Sequence, residues 1–231
     1  MSEPPRLLSR ATGRLGMMVD ISHVSDKTFY DAVETSAAPV IVSHSSCRAL
    51  ADVPRNMTDD MLRALAKNGG VVHINYFEGF LDRGFTDRLG ALKDEQTQQD
   101  AREAEAPKFG DRSQLGPAVH AINQQRIAKL GRLPLSRLLD HFDHAVKVAG
   151  VDHVGLGSDF DGADDQFPEG MEDISKIPNL VRDLMERGYS DEDILKILGQ
   201  HFACHARSRA CRWGRRSARQ GFHHSLRRQL H

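Results

Sequence analysis

Two histidines in this sequence stand where a buried strand runs out, each placed to meet a ligand at the mouth of a sheet. The apolar run MMVDIS ends at His23 and the run PVIVS ends at His44, with DKTFYDAVETS between them. In a parallel α/β architecture the carboxyl ends of the strands open on one face. Imidazoles on consecutive βα units therefore converge there and can share a metal ion. Each is followed by small hydroxyl residues, as His23-Val24-Ser25 and His44-Ser45-Ser46. The competing reading is a loop histidine bonded to nearby backbone, and spacing alone does not separate the two. Arg55 follows the His44 strand in a loop, where it is either a solvated charge or a bidentate clamp for a carboxylate. Asp159 and Asp161 occupy the carboxyl end of the strand in HVGLGSDFDG. Asp159, nearer the last strand residue, is the candidate site residue, whereas Asp161-Gly162 suits an Asx turn.

These side chains need a repeating frame, and the hydrophobic periodicity supplies one. A strand over Met17–Ile21 leads to His23. Ser25 caps a helix with Phe29, Val33 and Tyr30 on its apolar stripe, and Pro39 restarts the chain as strand Val40–Val42. CRALADVPRN reads as a loop with a short helical turn. Thr58 then caps a helix with Asp59 and Asp60 in its first turn, Leu62, Leu65 and Ala66 on its apolar face, and Asn68-Gly69-Gly70 as its stop. A buried strand over Val71–Asn75 follows. Residues 78–132 are polar, charged and poor in aliphatics, and too long for an ordinary connection. They are predicted to be an insertion at the open face, a lid or an interface, with a solvated helical excursion as the alternative. SRLLDHFDHAVKVAG is strongly amphipathic, with Leu138, Leu139, Phe142, Ala145, Val146 and Ala149 on one face. After the Asp159 strand, Ser175 and Pro178 open the helix NLVRDLMERG, and Ser190 starts a last short helix, DILKIL. Four βα units result. The chain shows no glycine-rich phosphate loop and no Ser-His-Asp elbow.

Composition narrows the class. The chain of 231 residues, 39% hydrophobic and 27% charged, can bury a real core. No apolar run approaches the ~20 residues of a membrane span, and MSEPPRLLSRATGR lacks the apolar segment of a signal peptide, so a cytoplasmic location is the default expectation. Cys47, Cys204 and Cys211 are too scattered for a disulfide framework or a zinc knuckle. Residues 203–231 hold eight arginines and no lysine or acid; since the whole chain carries −1, the rest carries −9. That composition, with two of the three cysteines and the single Trp, is what an out-of-frame reading of GC-rich DNA tends to produce. A basic arm for nucleic acid is the other reading.

The segments LGMMVDISHVSD, APVIVSHSSCRAL, PRNMTDDMLRALAKNGGVV, VGLGSDFDG, PEGMEDISKIPNL and ILGQHF resemble the membrane dipeptidase family, the renal-type dipeptidases of peptidase family M19. The resemblance runs from about Leu15 to Phe202, taken as one domain, with residues 1–14 an unassigned, non-native lead-in. It implies an α/β fold of the metal-dependent amidohydrolase type, a (β/α)8 barrel of which about the last four βα units are present. It also implies hydrolysis of dipeptides at a two-zinc centre. Within that pattern His23 and His44, at the ends of the fifth and sixth strands, are ligands of one zinc, and Arg55 contacts the substrate carboxylate. Asp159, at the end of the eighth strand, handles a proton or the substrate amine. The family's His-x-Asp pair on the first strand, bridging Glu on the third and substrate-binding His on the fourth have no counterpart here. The expected chain is therefore half a barrel with ligands for one zinc and little or no activity by itself. For partners the resemblance implies a dipeptide and allows a homodimer, with no membrane span and no specific nucleic acid. Two other functions stand beside this one: an amidohydrolase-type enzyme acting on another amide or a lactone, and a non-catalytic binding or assembly module with a nucleic-acid-binding tail.

Overall fold

Short runs, β-branched in the first two and glycine-bearing in the third, pair in chain order into a parallel sheet: β1 (Ile41–Ser45), β2 (Val71–Asn75) and β3 (Val154–Gly157). The computed structural model describes residues 17–91, 125, 128–163 and 165–200. The expectations for residues 1–14, for the tail 203–231 with Cys204 and Cys211, and for most of the stretch after residue 91 lie outside them. β2 is central and buried along its whole length, as a parallel strand covered on both faces must be.

The segment before His23 is not the strand expected over Met17–Ile21. Among the described residues it makes one parallel bridge, Asp20 to Ile41, with Ile21 N donating to Ile41 O at 2.9 Å and Ile41 N to Val19 O at 3.0 Å. The ladder stops because Ser22 N turns to the Asp20 carboxylate, 3.0 Å away, instead of to the neighbouring strand. β1 in turn runs later than expected, through His44 to Ser45 rather than ending at Val42. Its register against β2 steps from Val42↔Val72 to Ser45↔Ile74, so Ser43 and His44 together oppose His73. This bulge breaks the alternation of sides. Ser43 and His44 are both only partly covered while Val42 and Ser45 are buried.

The helices follow their capping signals. α1 (Asp26–Thr35) starts at Ser25, whose side chain accepts from Thr28 N; it buries Phe29 and Ala32, while Tyr30 stays exposed. α2 (Asp59–Asn68) starts at Thr58 and ends at Gly69 in the left-handed conformation, φ 79°, which a glycine adopts without steric cost. Its buried face is Met61, Leu62 and Leu65, with Ala66 only partly covered. Two short helices follow β2, α3 (Glu78–Leu81) and α4 (Arg83–Ala91). They anchor the start of the polar stretch through the buried side chains of Glu78, Leu81 and Phe85. α5 (Leu135–Ala149) buries Leu138, Leu139, His141, Phe142 and Ala145; α6 (Ile177–Glu186) and α7 (Asp191–Leu195) complete the order.

Two buried titratable side chains clamp these layers. Cys47 N donates to His141 Nδ1 at 3.0 Å, so the ring proton must sit on Nε2, which donates to Leu81 O at 3.0 Å. Burial pushes the His141 pKa from 6.5 down to about 4, and a protonated ring would face the Cys47 N–H with a second donor. Burial likewise pushes the Cys47 thiol up to about 12, which keeps it a neutral packing group. Glu78 accepts from Leu133 N through Oε1, and burial lifts its pKa from 4.5 to about 7.

The two groups act on stability with opposite sign. Between pH 4 and 6.5 the unfolded chain takes up a proton at His141 that the folded chain refuses, so this contribution is lost as pH falls. Glu78 is the reverse: its folded form holds a proton the unfolded chain has released, so its contribution is lost as pH rises from 4.5 toward 7. We expect Glu78→Gln to remove the opposing group, so that urea-unfolding stability falls by about 2 kcal/mol more from pH 7 to pH 5 than in the natural sequence. His141→Gln should instead gain by about as much over the same range.

Candidate functional site

The bridge segment before His23 and the end of β1 deliver the two histidines to one point. His23 Nε2 and His44 Nε2 are 2.7 Å apart, with ring centroids 4.7 Å apart and planes tilted by 56°. Arg55 lies against them: Nη2 is 3.2 Å from His23 Nε2 and donates to His44 O at 3.2 Å, while Nη1 donates to Ser22 O. Its guanidinium also stacks over the Phe80 ring, 5.3 Å from the centroid. The loop that carries Arg55 is pinned by Asn56, whose amide donates to Ala51 O at 2.9 Å and Phe80 O at 2.8 Å, and by Ser45 Oγ donating to Arg55 O at 2.8 Å. Carbonyl oxygens and an aromatic face orient the guanidinium without neutralising it. Its charge is left for an incoming anion.

Asp159 sits at the end of β3 with φ 59°, a left-handed backbone that Asp tolerates better than most residues. Asn75, at the end of β2 and fully buried, fixes it by donating from Nδ2 to Asp159 Oδ2 at 3.0 Å, while Asn75 Oδ1 accepts from Phe77 N at 2.6 Å. Asp159 makes no hydrogen bond with the histidines or Arg55, but its charge is felt at both His44 and Arg55. Burial pushes His44 below the ordinary histidine value, Arg55 and His23 push the same way, and the negative charges of Asp159 and Asp20 oppose them. Burial lowers Arg55 in the same manner against Asp159 and Asp20.

Sequence reasoning missed the support beneath this cluster. Asp20 accepts from Ser22 N at 3.0 Å, Ser22 Oγ at 2.7 Å and Ser43 N at 3.2 Å through Oδ1, and from Ser43 Oγ through Oδ2. Burial would raise its pKa, but these donors outweigh burial and hold it below the usual carboxylate value. Ser22 Oγ accepts from His44 N at 3.1 Å, and Ser43 Oγ lies 2.7 Å from His44 Nδ1. The signal was available: each histidine is preceded by a serine, Ser22-His23 and Ser43-His44, as well as followed by one. Asn75, Phe80 and Gly162 carried no such pattern.

The donor set suits a metal ion as part of its shell. Two nitrogens on one tetrahedral zinc stand ~3.3 Å apart, given bonds of about 2.0 Å, so the pair need open by only about half an ångström. Among the described residues no group of three or more His, Cys, Asp or Glu side chains forms a metal site. Nor, among them, is any helix long and apolar enough to cross a membrane.

A sequence model of the membrane dipeptidase family, peptidase family M19, matches residues 6–203. An uncharacterized dipeptidase of Schizosaccharomyces pombe is 38% identical over 187 residues, covering 80% of this chain and 34% of that protein. Dipeptidase tcpJ of Claviceps purpurea is 33% identical over 201 residues, 87% of this chain and 36% of that protein. Among solved structures, a metallo peptidase of Rhodobacter sphaeroides liganded with a phosphinate mimic of the dipeptide L-Ala-D-Ala superposes with a TM-score of 0.65 at 26% identity. That match covers 89% of this chain and 46% of that one. The probable dipeptidase PvdM of Pseudomonas aeruginosa superposes with a TM-score of 0.67 at 27% identity, over 88% of this chain and 54% of that one. The chain thus spans about a third of the length of the curated relatives it matches and about half of these solved structures.

The turn after Asp159 leads to one prediction. A Cβ at Gly162 would fall 2.2 Å from Asp159 Oδ1, so Gly162→Ala must displace the carboxylate from Asn75. We expect it to cost about 1 kcal/mol in urea unfolding, the worth of the lost Asn75–Asp159 hydrogen bond, since the carboxylate can swing aside at this exposed turn. The side-chain amide resonances of Asn75 should also shift, a change absent from Gly90→Ala, where the added Cβ meets open space.

Proposed function

The chain belongs to the membrane dipeptidase family, peptidase family M19, and from that premise we propose that it carries half of a zinc-dependent dipeptidase site. The observation that supports this most is the convergence of His23 Nε2 and His44 Nε2 at 2.7 Å beside an oriented but unneutralised Arg55. That combination offers nitrogen ligands for a metal and a cationic clamp for the terminal carboxylate of a short peptide. The phosphinate dipeptide mimic bound by the Rhodobacter sphaeroides relative fits the same chemistry.

In this reading His23 and His44 hold the zinc ion, which when bound supplies Lewis-acid polarisation of a carbonyl and acidifies water. Arg55 binds and orients the peptide carboxylate, with Phe80 limiting where the guanidinium can swing. Asp159, presented by Asn75, takes a proton or delivers one to the leaving amine. The three-stranded sheet and its preceding bridge segment correspond to the last four βα units of an amidohydrolase-type barrel. The remaining ligands of a two-zinc centre belong to the part of the relatives that this chain does not span. Little turnover is therefore expected from the chain alone.

The test is hydrolysis of a dipeptide panel, including D-residue members, alongside lactones. It is run on the zinc-loaded chain by itself and mixed with the complementary N-terminal segment of a close relative. The expected result is negligible cleavage alone and dipeptide cleavage in the mixture, lost on chelation and reduced at least about 100-fold by His44→Ala. Cleavage of lactones in preference to dipeptides would overturn the substrate assignment. Enzyme-like rates from the chain alone would overturn the half-site.

A further inference from the structure

Counting protons around Asp20 shows that the two histidines are not equivalent. Ser22 and Ser43 each own one hydroxyl proton. Ser22 Oγ gives its proton to Asp20 Oδ1 at 2.7 Å, and its lone pair receives His44 N at 3.1 Å. Ser43 Oγ gives its proton to Asp20 Oδ2. The 3.1 Å contact between the two hydroxyl oxygens then has no proton left to share. Ser43 Oγ can only accept from His44 Nδ1, 2.7 Å away, so that nitrogen must carry the ring proton. His44 Nε2 is therefore a bare lone pair. Facing it at 2.7 Å, His23 Nε2 must be the N–H that donates. Arg55 Nη2, which carries two N–H groups, donates one to His44 O, and its 3.2 Å approach to the protonated His23 Nε2 is a contact rather than a hydrogen bond.

We propose that Asp20, acting through Ser43, is a positioning residue that presets His44 in the Nδ1–H tautomer with Nε2 ready to bind a metal, whereas His23 must first move its ring proton from Nε2 to Nδ1. The β1 bulge makes this arrangement available. In a regular strand Ser43 and His44 would face opposite sides, and here consecutive residues share one. A carboxylate linked to a ligand imidazole through a hydrogen bond fixes the tautomer and raises ligand basicity. Here a serine hydroxyl carries that link one step further. Only the last clause, metal binding, rests on the dipeptidase reading; the tautomers are properties of the metal-free chain.

Asp20→Asn gives a sharp test because its outcome follows from the same proton count. Oδ1 accepts three donors, so the amide oxygen takes that place and the NH2 group falls where Oδ2 contacts Ser43 Oγ. The amide then donates to Ser43, whose own proton is redirected to His44 Nδ1, and His44 is driven into the Nε2–H form. Ring 15N shifts of the full chain without metal, at about pH 8, report this directly. The expected result is Nδ1–H for His44 and Nε2–H for His23 in the natural sequence, an inverted His44 in Asp20→Asn, and an unchanged His44 in Ser43→Thr. Ser43→Ala should lose the Nδ1–H preference, which keeps the idea exposed if Asp20→Asn fails to fold. An Nε2–H His44 in the natural sequence, or a folded Asp20→Asn with His44 unaltered, overturns the proposal. Zinc titration adds a second reading: His23 should change tautomer on binding and His44 should not, and Asp20→Asn should bind zinc about 10–100-fold more weakly. If no variant binds zinc while the tautomers behave as described, the metal assignment fails and the Asp20–Ser43 relay stands.

Discussion

The Asp20 carboxylate is the joint on which the site depends. Among the described residues, the segment carrying His23 is tied to β1 by a single parallel bridge and two backbone hydrogen bonds, too little to fix a side chain at its end. Asp20 adds four donors drawn from Ser22 on its own segment and Ser43 on the neighbouring strand. Hydrogen bonds to an ionised acceptor are roughly twice as strong as neutral ones, and the two from Ser43 cross between the two elements that carry the histidines. Their ring nitrogens can therefore meet at hydrogen-bond distance although 21 residues separate them in the chain.

A second tier of buried polar contacts holds the loops in place. His141 on α5 binds Cys47 just beyond β1 and Leu81 at the end of α3, so one neutral ring spans three elements. Asn56 joins the loop of Arg55 to Phe80, the residue that stacks under the guanidinium. Each is a buried group: both ring nitrogens of His141 and both amide N–H groups of Asn56 are directed at backbone. Such contacts specify one arrangement, because any shift leaves a polar atom unpaired away from water.

The electrostatic layout matches this mechanical one. Arg55 lies against the two imidazoles, the charge of Asp159 is felt at His44 and Arg55, and Asp20, bonded to the serines that precede both histidines, is a second counter-charge. Arg55 is oriented by carbonyls and an aromatic face, which fix a cation without cancelling it. Asp159 is oriented by an amide, which does the same for an anion. Opposite charges are thus oriented without being cancelled.

Much of this was legible in the residues themselves. Caps at Ser25, Thr58 and Ser190, the stop at Gly69 and the apolar face of α5 rest on local chemistry and period, and the structure places them as read. His23, His44, Arg55 and Asp159 were legible as candidates because strand ends mark where a parallel sheet opens. What tertiary structure alone decided is the pairing across the chain. The bulge that puts Ser43 and His44 on one side depends on the register of β1 against β2, and the turn at Ser22 depends on a carboxylate shared between its own segment and β1. The partnership of Asn75 with Asp159 joins residues 84 apart. Hydrophobic period records which side of an element is buried; which polar atoms meet across elements is settled only when the elements pack.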